Sequence, residues 1–119
     1  MLSVMLAAAM LLQEDARAPR AWSGGDSLVR FAEGSRISAV RPVGRWSGTA
    51  SIQVRCVIVP EGRLEACEVV REAAAGRVSV RDALQAFRQA RIELTPQGPH
   101  VGDTYTAEIV VTQDRIRRR

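Results

Sequence analysis

Cys56, Cys67 and His100 are the only cysteines and the only histidine of this 119-residue chain, and they are the side chains best suited to metal ligation or thiolate chemistry. Zinc sites need three or four such ligands. If the two cysteines bond to each other no such set remains, so neither a metal nor any other cofactor is expected. A Cys–His nucleophile pair would need a free thiolate beside the imidazole, and it stands as the lesser reading. Glu61, Glu65, Glu68 and Glu72 fall along one stretch at mixed spacing. They read as a solvated rim rather than as a paired general acid and base. No Gly-rich loop is present to cradle a phosphate. The chain is expected to be non-catalytic. The chemistry its pattern favours is oxidation of two thiols to a Cys56–Cys67 disulfide.

A β-hairpin must position those thiols. Runs rich in Val and Ile flank Pro60, Glu61, Gly62 and Arg63, and each run carries one cysteine. Pro pre-sets one turn dihedral and Gly accepts a positive φ, which is the chemistry of a hairpin turn. Cys56 and Cys67 are equidistant from the midpoint between Glu61 and Gly62, so a loop of even length sets them opposite each other on one face. A two-residue loop would ask Pro60 for an N–H it lacks. A four-residue loop closed by Val59 and Leu64 avoids this and makes 56:67 a non-hydrogen-bonded pair, where side chains approach closely. A three-residue loop with Gly62 as a bulge is the rival. It shifts the register by one and sends the thiols to opposite faces. The alternative to the bond is a pair of buried free thiols behaving as small hydrophobes. A disulfide here would add about 2–3 kcal/mol and would place the molecule outside the reducing cytosol.

The first strand of the hairpin presents Ala50, Ile52, Val54, Cys56 and Ile58 to one face, the alternation of a half-buried strand. The second offers Cys67 and Val69 to that face and turns Leu64, Ala66 and Val70 away, with Val57 and Val59. Ser79 next reads as an N-cap, with Asp82 in the first helical turn. Val80, Ala83, Leu84, Phe87 and Ala90 then form an amphipathic stripe, and the helix should end near Arg91 or Ile92, before Pro96. A third strand over residues 104–112 sets Tyr105, Ala107, Ile109 and Val111 on one face. The expected fold is α+β: β-β-α-β, a three-stranded antiparallel sheet of order 2-1-3 with one helix across a face. The third strand is then an edge, and few charges protect it.

At 119 residues the chain holds one domain at most. Residues 1–18 have the apolar run and small residues of a secretory signal peptide, although no basic residue precedes the run and Pro19 makes the cleavage site awkward. A short core or membrane-surface helix is the alternative. Residues 19–47 are a loosely ordered lead-in with one short helical turn around residues 27–33, and Trp22 and Trp46 are buried anchors over the sheet. The domain proper occupies 48–112, and 113–119 form a basic tail. Net charge is +4 and every basic residue other than His100 is an arginine. Phosphate binding rarely excludes lysine, so coding bias explains the arginines more simply than nucleic acid does.

These residues resemble the C-terminal domain of the TonB family, in particular its small periplasmic relatives with paired cysteines. The resemblance rests on Gly48, on Ile52, Val54 and Cys56, and on the turn Glu61-Gly62-Arg63-Leu64. It continues through Cys67, Val69, Val70 and Glu72, through Ala83, Leu84 and Phe87, and through Pro96 and Gly102. It covers just over half of the chain. Three departures stand out: Arg41-Pro42-Val43 replaces a Tyr-Pro dipeptide, no aromatic pair precedes Pro96, and neither a spanning anchor nor a Pro-rich spacer is evident.

What the resemblance implies is an exported periplasmic module that binds a protein or peptide by strand addition, in transport-related energy transduction or an accessory role. The partner would be an outer-membrane receptor or another envelope protein. The docking edge is Tyr105, Thr106, Ala107, Glu108, Ile109, Val110 and Val111, unless the tail or a second copy of the chain caps it. An uncleaved N-terminus would anchor the protein to the inner membrane. Two other readings stay open: a small basic intracellular nucleic-acid-binding protein, and an envelope-stress or folding accessory using the second sheet face.

Overall fold

Residues 18–113 are described by a computed structural model. The expected signal peptide, Ala18 apart, and the Arg-rich tail after Gln113 lie outside them. Four strands and one helix follow in the order β1 (Ala21–Ser23), β2 (Gly48–Ile58), β3 (Leu64–Ala73), α1 (Val80–Arg88) and β4 (Thr104–Gln113). The sheet order is β1-β4-β2-β3, with β2 antiparallel to both neighbours and β1 parallel to β4. The β-β-α-β core of the expected fold is present, but the sheet has four strands and is mixed, not three-stranded and antiparallel. The added strand comes from the lead-in. Three residues are too few to leave a periodic trace in sequence, and tertiary bonds hold them in place: Thr104 N–H donates to Arg20 O at 2.9 Å and Gly24 N–H to Thr106 O at 3.0 Å.

The hairpin corrects the expected turn. Val59 N–H donates to Arg63 O at 2.9 Å around a three-residue 3-10 turn, Pro60–Gly62, so the loop closed by Val59 and Leu64 does not form. Pairing starts as Ile58↔Leu64 and Val57↔Glu65, then shifts by one to Arg55↔Glu68. Ala66 is the extra residue, in the left-handed region at φ 53°. That conformation costs an alanine about 1–2 kcal/mol. It returns Cys67 to the face of Cys56, and the disulfide forms with Cα atoms 4.0 Å apart. The same bulge keeps Leu64 on the core face, fully buried, where an unbroken register linking the two cysteines would turn it outward. Burying that leucine and closing the disulfide, each about 2–3 kcal/mol, outweigh the local strain.

Ser79 caps α1 as expected, its hydroxyl accepting from Asp82 N–H at 3.1 Å. The helix stops at Arg88, earlier than its apolar stripe suggested. Tertiary bonds take over the chain there: Arg91 N–H donates to Ser35 Oγ at 2.7 Å, and Ile92 N–H to Gly62 O at 2.8 Å. Ala83, Ala86, Phe87 and Ala90 are buried, while Val80 is exposed.

The core lies between the sheet and a cover made of α1 and the lead-in. Ala50, Ile52, Val54, Cys56 and Ile58 line it from β2. Trp22 and Trp46 are both buried in it, as expected of anchors over the sheet. No helical turn forms over residues 27–33; Phe31 instead bridges Ile92 and meets Tyr105 edge-on, with ring centroids 6.1 Å apart. Apolar burial, not local propensity, orders this segment.

Candidate functional site

The backbone of β4 is the feature with unused binding capacity. Successive residues of a strand direct their N–H and C=O groups to opposite sides. Thr104 N–H and Thr106 O bond to the β1 side, so the even-numbered residues of β4 point away from β2. β1 covers only Ala21↔Thr104, Trp22↔Tyr105 and Ser23↔Thr106. The expectation of an edge open along the whole strand is therefore corrected: Tyr105 and Thr106 are paired, and the edge opens from Ala107 onward. Among the described residues, the outward groups of Glu108, Val110 and Thr112 meet no backbone partner. All three side chains are exposed, and Val110 at 56% is the most exposed large apolar residue described. Ala107 and Ile109 face the core side and are partly buried, and Val111 is buried.

Both ends of this edge are fixed. At its start Asp103, buried and polar, accepts from Arg20 N–H at 2.9 Å, from Trp22 Nε1–H at 2.8 Å and from His100 N–H at 3.0 Å. A buried carboxylate is tolerated because N–H donors surround it. Sequence reasoning missed Asp103: a lone acid after a Gly gives no sign that two of its donors, Arg20 N–H and Trp22 Nε1–H, lie 83 and 81 residues upstream. At the far end Gln113 Nε2–H reaches Trp46 O at 2.9 Å and Gly44 O at 3.3 Å. Underneath, Cys56 pairs with Tyr105, so the disulfided hairpin backs the covered part of β4. Burial of Tyr105 raises its hydroxyl pKa above the ordinary 10.0.

The opposite edge, β3, is built differently. It carries a left-handed bulge at Ala66 and a second register shift after Val69. Glu65, Glu68 and Glu72 lie along it, and the Arg55–Glu68 pair, 2.6 Å apart, is exposed. Bulges and charges of this kind block strand addition. Among the described residues no group of three or more His, Cys, Asp or Glu is placed to hold a metal ion, and none of the helices is long and apolar enough to cross a membrane.

No protein-family model matches the chain, and no curated protein matches it. A solved structure similar to it is the solution NMR structure of the Pseudomonas aeruginosa TonB C-terminal domain. The two are 21% identical, with a TM-score of 0.48, over 82% of this chain and 96% of that one.

Proposed function

We propose that this chain is an exported, non-catalytic envelope module that binds an extended segment of a protein partner as an added strand along β4. The observation that carries the reading is the row of outward backbone groups on Glu108, Val110 and Thr112, on a strand without bulges whose other edge is fully paired. An incoming segment would continue the sheet where β1 leaves off, with main-chain bonds supplying affinity and alternate side chains specificity. The disulfide supports an oxidising compartment, hence export, and speaks against an intracellular nucleic-acid-binding role. The partner class is an outer-membrane receptor or another envelope protein, and the role is transport-related energy transduction or an accessory to it.

The test is amide hydrogen exchange with synthetic N-terminal segments of outer-membrane receptors. Protection should rise at Glu108, Val110 and Thr112, while Val110→Pro abolishes binding and leaves the unfolding midpoint nearly unchanged, because that N–H has no backbone partner among the described residues. Unchanged exchange at all three amides with every segment, or full binding by the proline variant, would refute the proposal.

A further inference from the structure

The buried polar side chains of the domain are paired, with one exception. Trp22 Nε1–H donates to Asp103 Oδ2 at 2.8 Å and Trp46 Nε1–H to Val43 O at 2.9 Å, and Asp103 accepts from three N–H groups. The exception is Tyr105: the residue is 3% exposed, yet its hydroxyl bonds to no described residue. Its ring is held by Phe31, edge-on at 6.1 Å, and by Phe87 at 6.5 Å. Buried phenols as a rule find a partner, because an unmade bond forfeits the hydration that the group has lost.

The hydroxyl lies where β1 ends and the open edge of β4 begins. A Cβ placed on Gly24 would stand 3.5 Å from it and 3.2 Å from the Cβ of Ala107. Gly24 follows β1, is exposed, and donates its N–H to Thr106 O at 3.0 Å. It brings no side chain to cover the hydroxyl on that side. An added strand would take up the pairing beyond Gly24, and its residues would alternate between the sheet faces as those of β4 do. The residue beside Glu108 turns to the outer face, and the residue beside Ile109 turns to the core face. That second residue is the diagonal neighbour of Ala107. Diagonal neighbours of paired strands are about 7–8 Å apart, within reach of a long side chain.

A neutral phenol calls for an acceptor. Two carboxylates stand at this end of the edge: Asp26, which accepts from Ser23 N–H at 2.8 Å, and Glu108. Arg55, opposite Thr106, is already bonded to Glu68. A neutral amide is therefore a better acceptor here than a carboxylate. We propose that Tyr105 is a specificity contact of the strand-binding edge, its hydroxyl donating to the side-chain amide oxygen of a glutamine on the partner residue beside Ile109. This contact rests on strand addition at β4 and adds to it the residue type that the first core-side position selects.

The probe is a capped peptide of alternating threonine and valine with a lysine at each end, together with variants in which each valine in turn becomes glutamine. Each is titrated by NMR into the full 119-residue chain, and amide exchange along β4 is read in the same samples. One glutamine placement is expected to bind about tenfold more tightly than the others, as fits one added hydrogen bond. Tyr105→Phe, which keeps the ring, is expected to remove that preference with its circular dichroism and disulfide unchanged. Tyr105 is the only tyrosine, so its ring Cζ resonance stands alone; it should shift with the preferred peptide and not with the all-valine one. Glutamate in the preferred place should bind more weakly than glutamine. If no peptide protects the amides of Glu108, Val110 and Thr112, strand addition fails and the Tyr105 contact fails with it. If those amides are protected, strand addition stands, and any of three results overturns the Tyr105 contact alone: no preferred glutamine, a preference that survives in Tyr105→Phe, or glutamate binding as tightly as glutamine.

Discussion

Replacing Gly62 by alanine tests the joint between the hairpin turn and the chain after α1. Gly62 is buried with φ +79°, and a Cβ there would overlap the carbonyl oxygen of Ile92. All of the nearest atoms are Ile92 backbone, so no side chain can rotate out of the way. Residues 91 and 92 would have to retreat. The left-handed conformation costs an alanine about 1 kcal/mol. Losing the Ile92 N–H bond to Gly62 O costs about 1 kcal/mol more, and partial exposure of the Ile92 side chain, now 1% exposed, another 1–2 kcal/mol. The expected loss is about 3–4 kcal/mol, or roughly 12–30 °C in Tm for a domain of this size. Gly76→Ala is the internal control: its φ is +88°, yet nothing lies within 4 Å of the added methyl, so only the conformational cost of about 1 kcal/mol applies. Urea unfolding followed by circular dichroism, with the disulfide intact, separates the two. Equal losses would mean that the close approach of Gly62 to Ile92 contributes nothing, and the account of why α1 ends early would fail with it.

Reduction of Cys56–Cys67, or their joint replacement by alanine, should lower stability by about 2–3 kcal/mol in urea with and without reductant, the closed loop being short at a separation of 11 residues. Asp103→Asn turns an amide donor toward one of the N–H groups that now face a carboxylate; it should cost about 2 kcal/mol and red-shift tryptophan emission as Trp22 loosens. Tyr105 is the only tyrosine, so its ionisation can be read directly in the ultraviolet. Its pKa is raised in the folded state, so the stability tied to the neutral phenol is complete below pH 10.0 and is lost as pH climbs through the folded-state value; Tyr105→Phe should abolish that alkaline decline.

Alternation along β2 was legible because a strand with one buried face writes its period into five alternate apolar positions, Ala50 to Ile58. The cap at Ser79 was legible because one side chain and one amide three residues apart decide it. The hairpin was legible in position but not in register. Proline excluded the two-residue loop correctly, yet loop length and cysteine alignment pointed to different registers, and a bulge at an unremarkable alanine reconciled them. β1, the bridge from Phe31 to Ile92 and the donation from Arg20 and Trp22 to Asp103 were not legible at all. Each depends on residues more than 55 positions apart, and none requires a residue type that local sequence would flag.

The two sheet edges show why the open segment of β4 invites a functional reading. A sheet that gains only stability from its strands has no reason to treat its borders unequally, because an unpaired border of either kind risks aggregation. Here β3 is twisted by two register shifts and flanked by carboxylates, while β4 runs straight through ten paired residues with Glu108 as its one charge. β1 shows that the β4 border accepts a strand, since it already pairs there in parallel, and that it does so for three residues only. If protection were the purpose of β1, extending it past Gly24 would suffice. Instead Ser23 N–H turns onto the Asp26 carboxylate at 2.8 Å and the chain leaves the sheet, with Glu108, Val110 and Thr112 still uncovered by any described residue. Lengthening β1 along Ala107 and Ile109 should therefore compete directly with partner binding while raising stability. The opposite pairing of gains, stability together with tighter binding, would contradict strand addition at this edge.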